Sequence, residues 1–183
     1  CLMAKKANVD VNPVDIGVAR EVNGDKIRKC KIMYGTNDMT QMPAMTREQA
    51  FTAIETGILM AQECYEKGYQ LLCVGEMGIG NTTSTAAMTA ALLHLPAEQV
   101  TGRGAGLSSE GFERKIAAIR QAIAVNQPDA NDPIDVLHKV GGLDIAGMVG
   151  LYLGGAIYGL PVVVDGVIAC AAALCAVCIC PAV

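Results

Sequence analysis

The chain has 183 residues, with 14 Lys and Arg set against 18 Asp and Glu for a formal net charge of −4. That length suits one domain whose core needs neither disulfides nor a metal to hold it. With no basic stripe, no Trp and only 4% aromatic residues, the composition excludes a phosphate-tracking or base-stacking nucleic-acid surface. Eight cysteines look like a disulfide framework until their settings are read. Cys73 falls in an apolar strand-like run and Cys170, Cys175, Cys178 and Cys180 in an Ala-rich one, so they read as small hydrophobes in a reducing, cytoplasmic compartment. The Cys175 and Cys178 spacing lacks a partner pair, and His94 and His138 are distant in sequence, so no metal site is expected.

Residues 7–17 mix Val9, Val11, Val14 and Ile16 with Asp and Pro, and predict an extended segment ending in Asp15-Ile16-Gly17. Residues 23–46 carry turn signals and no sustained period, which predicts a long loop with a short extended piece at 31–34. Thr46-Arg47-Glu48-Gln49 is a capping box, after which Phe51, Ile54, Ile58, Ala61 and Tyr65 recur at helical spacing until Gly68. Leu71-Leu72-Cys73-Val74 predicts a buried parallel strand. The stretch Val74-Gly75-Glu76-Met77-Gly78-Ile79-Gly80-Asn81-Thr82-Thr83 leads from it into a helix over 82–94 that Asn81 or Thr82 can cap. Glu76 is thereby expected at the strand's carboxyl end, the crevice side of an open sheet. The helix N-terminus behind it offers N–H groups to an anion, and the glycines let a ligand approach the backbone. A tight turn whose glycines serve geometry alone is the plainer reading of the same residues.

A second glycine cluster, Thr101-Gly102-Arg103-Gly104-Ala105-Gly106-Leu107, precedes Ser108-Ser109 and a helix whose Phe112, Ile116, Ile119 and Ile123 share one face. Lys115 is expected off that face, where its ammonium can reach a ligand at the glycine loop; a solvated surface lysine is the plainer alternative. The cluster lacks the Gly-Lys-Ser/Thr ending of a P-loop. Asp132-Pro133 opens a short helix that stops at Gly141-Gly142. Asp144 then opens an apolar helix to about residue 158, and Leu160-Pro161-Val162-Val163-Val164 predicts a β-branched strand closed by Asp165-Gly166, before a further buried helix. Glu76 and Asp165 thus repeat one pattern, an acid beside glycine at a strand's carboxyl end. Such ends suit ribose hydroxyls, and Lys115 with the glycine loop suits a phosphate, so a phosphoribosyl ligand fits both halves.

From 141 to 183 the only charges are Asp144 and Asp165, and Gly150-Leu151-Tyr152-Leu153-Gly154 has the small-residue spacing of membrane helices. Gly159-Leu160-Pro161 and Asp165-Gly166 nevertheless break the run into pieces shorter than the roughly 20 residues a span needs, so no membrane insertion is expected. The start at Cys1 and the finish at Cys180-Pro181-Ala182-Val183, straight after an apolar run, predict a piece of a longer protein or a chain that needs a partner.

Taken together, Gly75-Glu76-Met77-Gly78-Ile79-Gly80-Asn81-Thr82-Thr83, Gly102-Arg103-Gly104-Ala105-Gly106-Leu107, Ala122-Ile123-Ala124-Val125-Asn126-Gln127-Pro128, Lys139-Val140-Gly141-Gly142-Leu143-Asp144-Ile145-Ala146-Gly147-Met148 and Pro161-Val162-Val163-Val164-Asp165-Gly166 closely resemble the nicotinate-nucleotide:dimethylbenzimidazole phosphoribosyltransferase family, over residues 1–183. The resemblance implies a single doubly wound, Rossmann-like parallel α/β domain with helices on both faces, acting as a homodimer without metal or other cofactor. It implies transfer of the phosphoribosyl group of nicotinate mononucleotide to 5,6-dimethylbenzimidazole, giving α-ribazole 5'-phosphate and nicotinate in cobalamin assembly. By the same resemblance Glu76 and Gly78 hold the ribose side, and Gly104, Lys115, Asp165 and Gly166 surround the ribose phosphate. The family's general base is a glutamate in a Gly-Glu-Gly segment, which this sequence does not contain. The chain as given is therefore expected to be poorly active, and a non-catalytic nucleotide or sugar-phosphate binding module is the alternative.

Overall fold

The computed structural model describes residues 2–104 and 106–183. The fold is mixed α/β and rich in helix. In order it runs α1 (Leu2–Ala7), β1 (Val14–Asp15), β2 (Arg28–Lys29), α2 (Arg47–Glu66), β3 (Leu72–Cys73), α3 (Thr82–Leu93), α4 (Ala97–Val100), α5 (Ser109–Asn126), α6 (Pro133–Val140), α7 (Leu143–Tyr158), β4 (Val162–Val163) and α8 (Gly166–Ile179). The strands form two separate parallel pairs, β1 with β2 and β3 with β4. Where one sheet with helices on both faces was expected, these two small pairs are what the described residues contain.

The helices begin where local chemistry says they should. Thr46 and Gln49 exchange both capping-box hydrogen bonds at the start of α2, and Ser108 accepts from the Gly111 amide at the start of α5. Asp132 accepts from the Ile134 and Asp135 amides ahead of Pro133, whose missing N–H costs nothing in the first turn.

The buried stripe of α2 is not the aromatic one. Phe51 and Tyr65 are exposed, while Ala50, Ala53, Ile54, Gly57 and Ala61 face inward. The cause is α7, which lies against α2 at backbone distance. A Cβ added at Gly150 would fall 1.9 Å from the Ile54 carbonyl oxygen, one at Gly57 2.1 Å from the Gly147 carbonyl oxygen, and one at Gly154 2.6 Å from the Ala61 Cβ. The spacing of Gly150 and Gly154 that matches membrane helices here serves a helix pair inside the domain. Among the described residues no helix is long and apolar enough to cross a membrane. Around this seam Met45, Met88, Ile119, Leu137, Ile145, Val149 and Cys175 form the core.

The predicted extended segment at 7–17 begins instead with the end of α1, and only Val14–Asp15 within it is strand. The extended piece expected at 31–34 lies earlier, at β2. The long loop after β2 is pinned from several sides. The Lys31 ammonium meets Asp15 at 2.9 Å and the Arg20 carbonyl at 3.1 Å, the Asn126 amide donates to the Met39 carbonyl at 2.7 Å, and a His138 ring nitrogen lies 3.2 Å from the Met45 carbonyl. Burial pushes the Asp15 carboxyl up, but Lys31 and the Val18 and Gly17 amides outweigh it and hold it below its usual range.

The cysteines divide by setting. Cys175 is wholly buried, and burial pushes its thiol up to about 12. Cys73, Cys170 and Cys178 are exposed, against the expectation that they pack as small hydrophobes. In β3 the reason is that one face of the strand is covered: Leu72 and Val74 point inward, so the alternate residues Leu71 and Cys73 point out.

Candidate functional site

The register of the β3–β4 pair, Leu72 with Val162 and Cys73 with Val163, carries Glu76 and Asp165 out at the same carboxyl end. Beyond β3 the chain turns through residues 74–80 before α3 begins. Gly78, at φ +70°, directs its amide back onto Glu76 Oε2, a backbone conformation that an L side chain adopts at a cost. The same oxygen accepts from Asn81 Nδ2 at 2.8 Å, and Asn81 Nδ2 also donates to Asp144 Oδ2 at 2.7 Å. Asp144 in turn accepts the Ile145 amide on Oδ1 at 2.9 Å, at the start of α7. Asn81 is buried, at 5% exposure, and its Oδ1 has no hydrogen-bond partner among the described residues.

A second group of residues meets at the start of α3. Lys115 Nζ donates to Thr82 Oγ1 at 2.9 Å and to the Gly102 carbonyl at 3.1 Å. Gly104, at φ +57°, lies so close that an added Cβ would be 3.5 Å from Thr82 Oγ1 and 3.7 Å from Lys115 Nζ. One lysine thereby joins the glycine loop, the first residue of α3 and the middle of α5. An ammonium has three protons to donate, and among the described residues these two bonds use two of them. Lys115 is only 8% exposed, and its burial lowers its pKa from the ordinary lysine value.

That burial corrects the expectation for Lys115. Phe112, Ile116, Ile119 and Ile123 do turn toward the core, but Lys115 lies on the same stripe rather than off it. The position is three residues after Phe112 and four before Ile119, which is the spacing of one helix face. The expected reach of its ammonium to the glycine loop is present all the same.

Of the residues singled out from sequence, the fold brings Glu76 with Gly78, and Gly104 with Lys115. Asp165 and Gly166 stand apart. Asp165 is exposed and makes no side-chain cap bond to α8, which Gly166 opens at φ +80°. They share a strand end with Glu76 through the register alone. Three polar residues that the sequence marks only as helix caps or openers make site contacts: Asn81 and Asp144, which secure Glu76, and Thr82, which receives Lys115. Their hydroxyl, amide and carboxylate groups fit either role, so composition offers no way to choose.

A carboxylate and a buried ammonium flanking one helix N-terminus, each beside a positive-φ glycine, suit a ligand that carries hydroxyls at one end and an anion at the other. A family model described as phosphoribosyltransferase matches residues 1–183. The chain is 52% identical over 180 residues to the nicotinate-nucleotide–dimethylbenzimidazole phosphoribosyltransferase of Halalkalibacterium halodurans, an alignment that covers 98% of this chain and 50% of that one. With the enzyme of the same name from Alkaliphilus metalliredigens it shares 53% identity over 180 residues, covering 97% and 51%. The solved structure of CobT from Thermus thermophilus superposes with a TM-score of 0.92 at 41% identity, covering 98% of this chain and 54% of that one. The chain spans about half the length of these relatives. Matched by the family model from end to end, and by enzymes of one name at about 50% identity, the chain belongs to the nicotinate-nucleotide–dimethylbenzimidazole phosphoribosyltransferase family.

Proposed function

We propose that this chain supplies the phosphoribosyl end of an active site that moves the phosphoribosyl group of nicotinate mononucleotide to 5,6-dimethylbenzimidazole, releasing nicotinate and forming α-ribazole 5'-phosphate. The observation that carries this reading is the buried Lys115 ammonium, held by Thr82 and the Gly102 carbonyl beside Gly104, with a third proton that these two bonds do not use. In water-poor surroundings a single such charge holds a phosphate far better than a surface lysine can. The phosphate lies there, Glu76 accepts from the ribose hydroxyls, and Asp165 with Gly166 closes the same rim from the neighbouring strand. The C1–N bond to nicotinate breaks as a benzimidazole nitrogen bonds to C1 from the opposite face, which inverts the anomeric carbon. The acceptor's N–H proton passes to a base, which by family resemblance is the glutamate of a Gly-Glu-Gly segment outside this sequence.

The same reading makes residues 1–183 one domain in which the two parallel pairs are portions of a doubly wound sheet. It also makes the protein a cytoplasmic homodimer that acts on small molecules, neither nucleic acid nor membrane. Its test is calorimetric titration of the chain with nicotinate mononucleotide. Lys115→Ala and Glu76→Ala should each weaken binding by about ten- to a hundredfold, the value of one hydrogen bond to a charged group. Parent-like affinity in Lys115→Ala would overturn the phosphate assignment.

A further inference from the structure

Asn81 occupies the N-cap position of α3 and does not cap it. Its backbone lies at φ −107° and ψ −11°, in the helical region, and its side chain makes no hydrogen bond to the first turn. A capping Asn normally takes an extended backbone and stabilises the helix by accepting from a first-turn amide. Here both amide protons point elsewhere, to Glu76 Oε2 and Asp144 Oδ2. Because both partners are carboxylates, only the NH2 end of the amide can face them, and Oδ1 is left buried without a donor among the described residues. A helix cap forgone and a buried acceptor left unmatched are two costs at one residue. Costs of this kind persist where the arrangement they permit is used.

What they permit is control of Glu76. That carboxylate stands on a turn that leaves the core after Val74, and its Met77 and Ile79 are almost fully exposed, so residues 75–80 have little apolar packing to hold them. Its restraints are the Gly78 amide and Asn81. Asn81 is fixed in turn by Asp144, which α7 presents from the molecule's most tightly packed seam and which the Ile145 amide orients. The geometry points to Asn81 and Asp144 as positioning residues that transmit the rigidity of α7 to the Glu76 carboxylate and so set how it meets the ribose hydroxyls. The assignment rests on the ribose reading of Glu76 given above. It adds Asp144, a residue with no direct part in that reading, as a determinant of ribose affinity.

Two measurements on the 183-residue chain test it. In crystal structures of the parent and Asp144→Ala, the Glu76 carboxylate should leave its place on the Gly78 amide in the variant; an unmoved Glu76 would overturn the assignment. In calorimetry with nicotinate mononucleotide, Asp144→Ala should weaken binding about tenfold, and it should have no further effect when Glu76 is already alanine. Asp144→Asn keeps one acceptor oxygen for Asn81 but turns an NH2 group toward the Ile145 amide, so its affinity should lie between those of the parent and Asp144→Ala. A loss of the same size in both backgrounds would make Asp144 an ordinary structural residue and overturn the assignment. Should Glu76→Ala bind like the parent, the ribose reading itself fails. The crystallographic position of Glu76 then decides alone whether Asp144 holds it.

Discussion

At Gly57 and Gly150, on the α2–α7 seam, the place of a Cβ is taken by backbone: the nearest atoms would lie at 2.1 and 1.9 Å. At Gly78 and Gly104, around the candidate site, that place is open. The nearest neighbours would be side-chain atoms at 3.9 and 3.5 Å, and it is the dihedral that demands glycine, with φ at +70° and +57°. One residue type thus answers two different demands. On the seam glycine allows two helices to touch, and replacing it attacks the fold. At the candidate site it lets an amide turn onto Glu76 and a loop lie beside Lys115, and on the function proposed above replacing it should attack binding while leaving the fold largely in place.

The sharpest way to break this comparison is Gly150→Ala. The new methyl would meet the Ile54 carbonyl, and neither helix can yield without moving a backbone, so stability should fall by about 3 kcal/mol in chemical unfolding. A loss below about 1 kcal/mol would mean that the seam relaxes cheaply and that its glycines are not spatial requirements.

Next in size is the pH dependence of nucleotide affinity. Burial lowers the Lys115 pKa, whereas a bound phosphate favours the ammonium. Affinity should therefore be complete below the lowered value of the free protein and fall as pH rises through it, by up to about tenfold per pH unit. Lys115→Ala should flatten that fall in alkaline titrations. The same shift acts on stability with the opposite sense: the burial cost is present while the amine is charged and is relieved as pH rises through the folded-state value. The smallest effect belongs to Gly78→Ala. A side chain at φ +70° costs about 1 kcal/mol of stability, yet it misdirects the amide that holds Glu76. Nucleotide affinity should thus drop by more than the stability change alone would suggest, and equal losses in both would erase the distinction between the two kinds of glycine.

Much of this is legible from short-range chemistry. The Thr46 capping box and the Asp132-Pro133 start each satisfy orphan amides within three residues, and each appears where the sequence places it. The strands are shorter than their residue types suggest. Leu71-Leu72-Cys73-Val74 and Leu160-Pro161-Val162-Val163-Val164 have the composition of buried strands, but how much of a run is strand depends on which neighbours pair with it, and here only Leu72–Cys73 and Val162–Val163 do so. The α2 stripe misleads because large side chains outweigh small ones in any hydrophobic pattern. Phe51 and Tyr65 are excluded from an interface narrow enough to need Gly57. For the site, Glu76 and Lys115 are visible as residue types beside glycine, and the burial of Lys115 is available in its spacing from Phe112 and Ile119. The links from Asn81 to Asp144 and from Lys115 to Thr82 span 63 and 33 residues, and no local pattern announces a contact of that range.

The bonds of Lys115 to Thr82 and Gly102 also bear on the speed and thermodynamics of capture. A free lysine gives up about 2 kcal/mol of rotamer entropy when it is immobilised on a ligand. In this protein folding has already immobilised it, and on the phosphate assignment proposed above an arriving anion would complete a partly filled donor set instead of recruiting a swinging arm. Capture should therefore proceed by simple one-step kinetics, with a small entropic penalty and no slow rearrangement after the encounter.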